Sequence, residues 1–162
     1  LAAHAPSMHL VAAGGIADGR GLAAAMMLGA EGVLMGTRLW ASREALVAKR
    51  HHDAIIEATG DDTIRTTTPD IARQIKWPRG FTARVYRNAF TQRWHGREED
   101  LEASIKIEGP KYRQVFAEGD PNDTGVWFGE AAGVIHDIDS VEAIVSRTAA
   151  EATKLIRPGR AD

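Results

Sequence analysis

Two glycine turns carry the sequence's clearest chemical signal. Residues 11–40 read VAAGGIADGRGLAAAMMLGAEGVLMGTRLW. Gly14-Gly15 follows one short apolar run and Gly36-Thr37 follows the next. A phosphate dianion needs several convergent N–H donors and close backbone approach, which a Cβ would obstruct. If the two runs are neighbouring parallel strands, both turns fall on the same side of the sheet. Two patches of N–H groups could then grip one phosphate, with the Thr37 hydroxyl beside them. Either turn alone serves equally well as a tight turn; the pair at consecutive strand ends favours phosphate. The spacing excludes two other phosphate loops. Gly14, Gly15 and Gly19 do not form G-x-G-x-x-G, and no Gly-Lys-Ser or Gly-Lys-Thr supplies a Walker lysine.

The other reactive side chains are less specific. His51 and His52 are adjacent on an expected helix, so they point about 100° apart and chelate one metal poorly; no metal site is expected. His95 and His136 stand beside Gly96 and Asp137 and suit exposed or locally bonded roles, His136 with a further option at the mouth of an active site. Arg79, Arg84, Arg87 and Arg93 could attract an anion. With 22 acidic residues in the chain, a solvated or acid-paired surface is the stronger reading. Trp77, Phe81, Tyr86, Phe90 and Trp94 lie in the same stretch and read as a small core, or as an apolar lining for a small substrate. No catalytic acid, base or nucleophile is assignable.

The elements that must position the turns follow from local pattern. Pro6-Ser7 signals a turn. Residues 10–13 form a short continuous apolar run, suited to a strand buried on both faces. Asp18 can cap a helix over 22–28, rich in alanine, methionine and leucine, which Gly29 ends. Residues 32–35 are the next strand, joined by a right-handed crossover. Ser42 is expected to open a longer helix to about Ala58, with Gly60 as its stop. Thr66, Thr67, Thr68 and Pro69 suggest an extended piece and a turn. Helices are expected over 98–107 and 112–117, separated by a break at Gly109-Pro110. Residues 119–125 are a loop, and Asp139 or Ser140 caps a final helix to about Ile156. The chain divides into residues 1–58, 59–125 and 126–162.

Bulk properties bound the alternatives. The 162 residues suffice for one ordinary domain, and 44% hydrophobic with 26% charged residues is a soluble, globular profile. A net charge of −2 gives no electrostatic case for nucleic acid or a membrane surface. No apolar run reaches the roughly 18–20 residues of a membrane span. Cysteine is absent, which excludes disulfides and thiolate chemistry and fits a cytoplasmic enzyme. The chain opens Leu1-Ala2-Ala3 without methionine, as if entered midway in a longer protein.

The run from Val11 to Trp40 resembles the last two strands of the nitronate monooxygenase (2-nitropropane dioxygenase-like) family, which is similar to flavin-dependent enoyl-acyl-carrier-protein reductases. Its Ala-Gly-Gly-Ile and Met-Gly-Thr-Arg turns stand at the family's separation. ARVYRNAF, with Arg84, Arg87 and Asn88, resembles an Arg-x-x-Arg-Asn segment. WFGEAAGVI, from Trp127, resembles a late segment usually written with Gly-Gln, where this chain has Glu130. A carboxylate near a flavin would repel a negatively charged ring.

The resemblance implies the C-terminal part of an FMN-binding (β/α)8 TIM barrel, an α/β fold, with a small, mainly helical lid domain at 59–125. It implies FMN as cofactor, its phosphate held by Gly14, Gly15, Leu34, Met35, Gly36 and Thr37. The implied reaction is oxidation of alkyl nitronates by O2. Alternatives are an NAD(P)H:quinone or enoyl-thioester reductase on the same barrel, and a non-catalytic fragment associating through barrel edges. The family's Gly-Gly-His segment and first six strands have no counterpart here, so self-association or pairing with an N-terminal half is expected.

Overall fold

A computed structural model describes residues 3–4, 7–78 and 80–156; the expected Pro6 turn and Arg79 lie outside them. The chain forms two compact units, one from Leu1–Ala45 with Ala131–Asp162, the other Leu46–Glu130.

The first unit holds β1 (Val11–Ala13), α1 (Gly19–Met27), β2 (Gly32–Leu34), α2 (Thr37–Trp40) and α8 (Val141–Ile156). Strands β1 and β2 pair in parallel, with Val11 opposite Gly32, Ala12 opposite Val33 and Ala13 opposite Leu34. Asp18 caps helix α1 as expected, its carboxylate accepting the Gly21 N–H at 2.9 Å, and the helix therefore begins at Gly19, three residues before the expected 22. Gly29, at φ +96°, follows its end. Gly19 sits where α1 meets α8. A Cβ there would collide with Glu151 Cβ and come within 2.7 Å of the Ala152 nitrogen. That glycine serves helix packing. Ser140 caps α8, its Oγ accepting the Ala143 N–H at 3.1 Å.

Burial of β1 on both faces does not occur in this chain. Val11 is 63% and Leu34 66% exposed. A two-stranded sheet gives each strand one neighbour, which leaves the rest of its apolar surface open.

The helix expected from Ser42 is also corrected. After α2 the backbone is irregular through residues 41–48, and helix α3 spans Lys49–Glu57 in the second unit. Ser42 instead makes a parallel β-bridge with Asp139, and the Arg43 N–H donates to the Asp139 carbonyl at 2.9 Å. Glu44 accepts the Val141 N–H. Backbone and side chains committed to a distant segment cannot continue a helix.

The second unit contains α3, an antiparallel pair of β3 (Thr63–Thr66) and β4 (Ala83–Tyr86), and helices α4 (Thr68–Ala72), α5 (Ala89–Trp94), α6 (Glu98–Ala103) and α7 (Ile105–Glu118). Gly60 does not stop a helix but opens a 3-10 turn, Gly60–Asp62, closed by a Thr59–Asp62 capping box. The expected break at Gly109-Pro110 is absent, since both lie inside α7. Pro110 is exposed and lies in the second turn of that helix, so the Lys106 carbonyl there lacks its usual N–H partner. The core gathers Ala72, Phe90, Trp94, Leu101 and Tyr112, with the Phe90 and Tyr112 rings 5.0 Å apart. Of the five expected core aromatics, Trp77 and Phe81 are instead exposed, at 61% and 62%. Asn88 ties this core to the 119–125 loop. Its Oδ1 caps α5 on the Thr91 N–H, while its Nδ2 donates to the Pro121 and Thr124 carbonyls at 2.6 Å each.

Candidate functional site

The parallel register decides the geometry of the glycine turns. Because Ala13 stands opposite Leu34, the chain leaves both strands at the same end of the sheet. Gly14 and Met35 come next, then Gly15 and Gly36. Parallel neighbours run about 4.8 Å apart, so the two turns are adjacent. Gly14 and Gly15 have φ of +94° and +73°, a region that strains any residue with a Cβ. Gly36 has an ordinary φ of −86°. At none of the three does an atom of the described residues, chain neighbours aside, lie within 4 Å of where a Cβ would stand. All three are exposed, with Met35 and Thr37 half-buried beside them. The result is an open cradle, bare of side chain, at the carboxyl ends of two strands. It fits a phosphate monoester, which needs close backbone approach from several sides. The Leu34 side chain beside it is exposed.

Sequence reasoning missed Arg38 and Asp137. Arg38 follows the second turn and is buried, 3% exposed. Its Nη1 donates to Asp137 Oδ1, and its Nη2 donates to the Ala41 and Asp137 carbonyls, all at 2.9 Å. Arg147 on α8 holds the other Asp137 oxygen at 3.0 Å. The Arg of Met-Gly-Thr-Arg was visible in the sequence, but nothing local names a partner so far along the chain.

A cavity of about 530 Å³ adjoins these groups within the first unit; His136, Asp18, Arg20 and Arg147 line it. His136 is exposed. At its rim, burial pushes the Asp18 carboxyl up, but hydrogen bonds from the Gly21 and Arg20 N–H groups outweigh this and hold it below its usual value.

The remaining expected residues lie in the second unit. Arg93 pairs with Asp123 at 3.0 Å, and Arg84 with Glu130 at 3.4 Å while also bonding the Thr63 hydroxyl. Acid pairing therefore accounts for both arginines. The Arg87 N–H donates to the Asp62 carbonyl, and Asn88 is the α5 cap. His51 is buried on α3, and burial lowers its pKa. Among the described residues, no three His, Asp or Glu side chains cluster as metal ligands would.

Comparison with known proteins adds an independent line. The family model described as nitronate monooxygenase matches residues 1–151. A nitronate monooxygenase of Metarhizium robertsii is 34% identical over 159 residues, covering 91% of this chain and 42% of its own length. FabK from Thermotoga maritima superimposes with a TM-score of 0.72 at 32% identity, covering 94% of this chain and 46% of that one. Nitroalkane oxidase from Streptomyces ansochromogenes gives a TM-score of 0.74 at 23% identity, covering 96% and 42%; at that identity the likeness concerns the fold alone. The chain spans about two fifths of the curated relatives it matches. The fold is α/β, the C-terminal part of a (β/α)8 TIM barrel with a small, mainly helical second unit.

Proposed function

The chain belongs to the nitronate monooxygenase family, and from that premise we propose that it holds the phosphate end of FMN in an enzyme oxidising alkyl nitronates with O2. The single observation behind this reading is the register that sets Gly14-Gly15 beside Gly36-Thr37 at the carboxyl end of the sheet. Backbone at Gly14, Gly15, Leu34, Met35 and Gly36, with the N–H and hydroxyl of Thr37, would hold the phosphate. Bound there, the flavin supplies two-electron redox chemistry. The chain's own part is to fix the cofactor's tail and, through it, the ring's position. The exposed apolar surface of β1 and β2 takes further barrel strands of the same protein as its partners. A cytoplasmic location accords with the lack of cysteine. No helix among the described residues is long and apolar enough to cross a membrane.

Gly36→Val tests the clamp. Its backbone is unstrained and the described residues leave its surroundings open, so the added methyls fit the fold of this chain and occupy the cradle. FMN affinity of the full-length protein should fall by about 100-fold or more, the loss of at least two charge-assisted hydrogen bonds of about 1.5–3 kcal/mol each. Unchanged affinity would sink the assignment. Nitronate-dependent O2 uptake by the flavin-loaded protein checks the reaction. NAD(P)H oxidation with a quinone or an enoyl thioester, and no nitronate turnover, would assign the reductase chemistry instead.

A further inference from the structure

Gly36 is exposed and Thr37 half-buried, and helix α2, which Thr37 opens, is only four residues long. Such a short element has little stability of its own. What fixes it is a chain of bonds to residues 137–141. Arg38 reaches three acceptors, the Asp137 carboxylate and the carbonyls of Asp137 and Ala41, each at 2.9 Å. The Ala41 carbonyl lies at the end of α2 itself, so one guanidinium ties the helix end to the later segment. Arg147 bridges Asp137 and Asp139 from α8, at 3.0 and 3.7 Å. The Ser42–Asp139 bridge and the Glu44–Val141 bond continue the seam.

The guanidinium is a costly choice for this task. It is buried, and its Nε has no hydrogen-bond partner among the described residues. Packing alone would be served by an apolar side chain. The feature that needs arginine is directional, because a planar fork fixes both the distance and the angle between α2 and residue 137.

We infer that Arg38, with Asp137, is a positioning residue: it clips the second phosphate-gripping turn to residues 137–139 and so sets the geometry of the cradle. This rests on the phosphate reading above. The clip acts through the backbone of residues 36–41, which the guanidinium holds at the Ala41 carbonyl. Its effect therefore depends on the ligand's having a phosphate, and that separates it from a general loss of structure.

The test compares FMN with riboflavin, which lacks the phosphate, in titrations of full-length apoprotein. Arg38→Met should weaken FMN by about tenfold or more, since displaced donors lose most of their contact energy, while riboflavin affinity changes less than about twofold. Arg38→Lys should not rescue, because an ammonium cannot span the same three acceptors in a fixed plane. Asp137→Asn keeps the fold, since Asp137 is half exposed and Arg38 retains both carbonyls. It should still weaken FMN selectively, by a smaller factor, and speed amide hydrogen exchange over residues 36–41 without flavin. Equal losses for FMN and riboflavin, full rescue by lysine, or no loss in either variant while Gly36→Val still loses FMN would overturn the clip. Undiminished FMN binding by Gly36→Val would overturn the phosphate site and the clip with it.

Discussion

In the second unit Phe90, Leu101 and Tyr112 are 3% exposed or less, whereas in the first the strand residues Val11 and Leu34 are 63% and 66% exposed. Met27 and Leu28 at the end of α1 are more open still, at 78% and 83%. One unit closes an aromatic core between its own helices. The other presents an apolar sheet and carries the bare glycine cradle on that sheet's end. The difference teaches where each unit's stability comes from. The second closes aromatic rings on one another, while the first buries mainly small and aliphatic side chains, Ala23, Ile135, Ile144 and Ala152, adds polar seams such as Arg38–Asp137 and Glu44–Val141, and leaves its strand residues open.

That contrast can be attacked directly, with unfolding followed by hydrogen exchange in each unit. Phe90→Ala should cost about 3–5 kcal/mol and loosen residues 46–130 while protection in α1 and α8 is unchanged. Loss spread equally over both units would erase the distinction. The two helix caps sharpen it. Asn88→Ala removes a cap and leaves the Pro121 and Thr124 carbonyls without their donor, for about 2–4 kcal/mol. Asp18→Ala removes one part-exposed cap, for about 1 kcal/mol; a cost as large as that of Asn88 would mean the first unit is more tightly closed than its exposure implies.

The Asp18 effect also has a pH signature. Its folded pKa lies below the ordinary value near 3.8 because hydrogen bonds outweigh burial. The carboxylate's contribution is therefore fully present above the unfolded value and is lost as pH falls through the lowered folded one. Acid titration of stability should show that loss in the native protein and not in Asp18→Ala. Smallest of all, Leu34→Ala should change the stability of this chain by less than about 0.5 kcal/mol, whereas in the full-length protein, with the strand covered, the same change should cost about 2–5 kcal/mol. Denaturant midpoints of the two lengths provide the check.

Much of the first unit was legible locally. Asp18 as a cap, Gly29 as a stop and Ser140 before α8 are decided by hydrogen bonds within a few residues, so short sequence windows contain the cause. The same holds for the first glycine turn, where the positive φ falls on Gly14 and Gly15 themselves. The helix expected from Ser42 failed because its competitor is Asp139, far along the chain. The break expected at Pro110 does not form, because α7 runs through the proline at the cost of one hydrogen bond, a balance that local sequence does not decide. Trp77 and Phe81 were grouped with Phe90 and Trp94 by proximity in sequence, yet packing selected only the latter pair.

By itself, the sequence determined the positions of the two turns, the caps that frame α1 and α8, and the family the chain belongs to, because each rests on residue types at fixed local spacing. Only the tertiary structure decided that the turns lie side by side, through the parallel register of β1 and β2, and that Arg38 finds Asp137. Pairing and salt-bridge partners are chosen by which surfaces meet when the chain folds, and no local spacing encodes that choice.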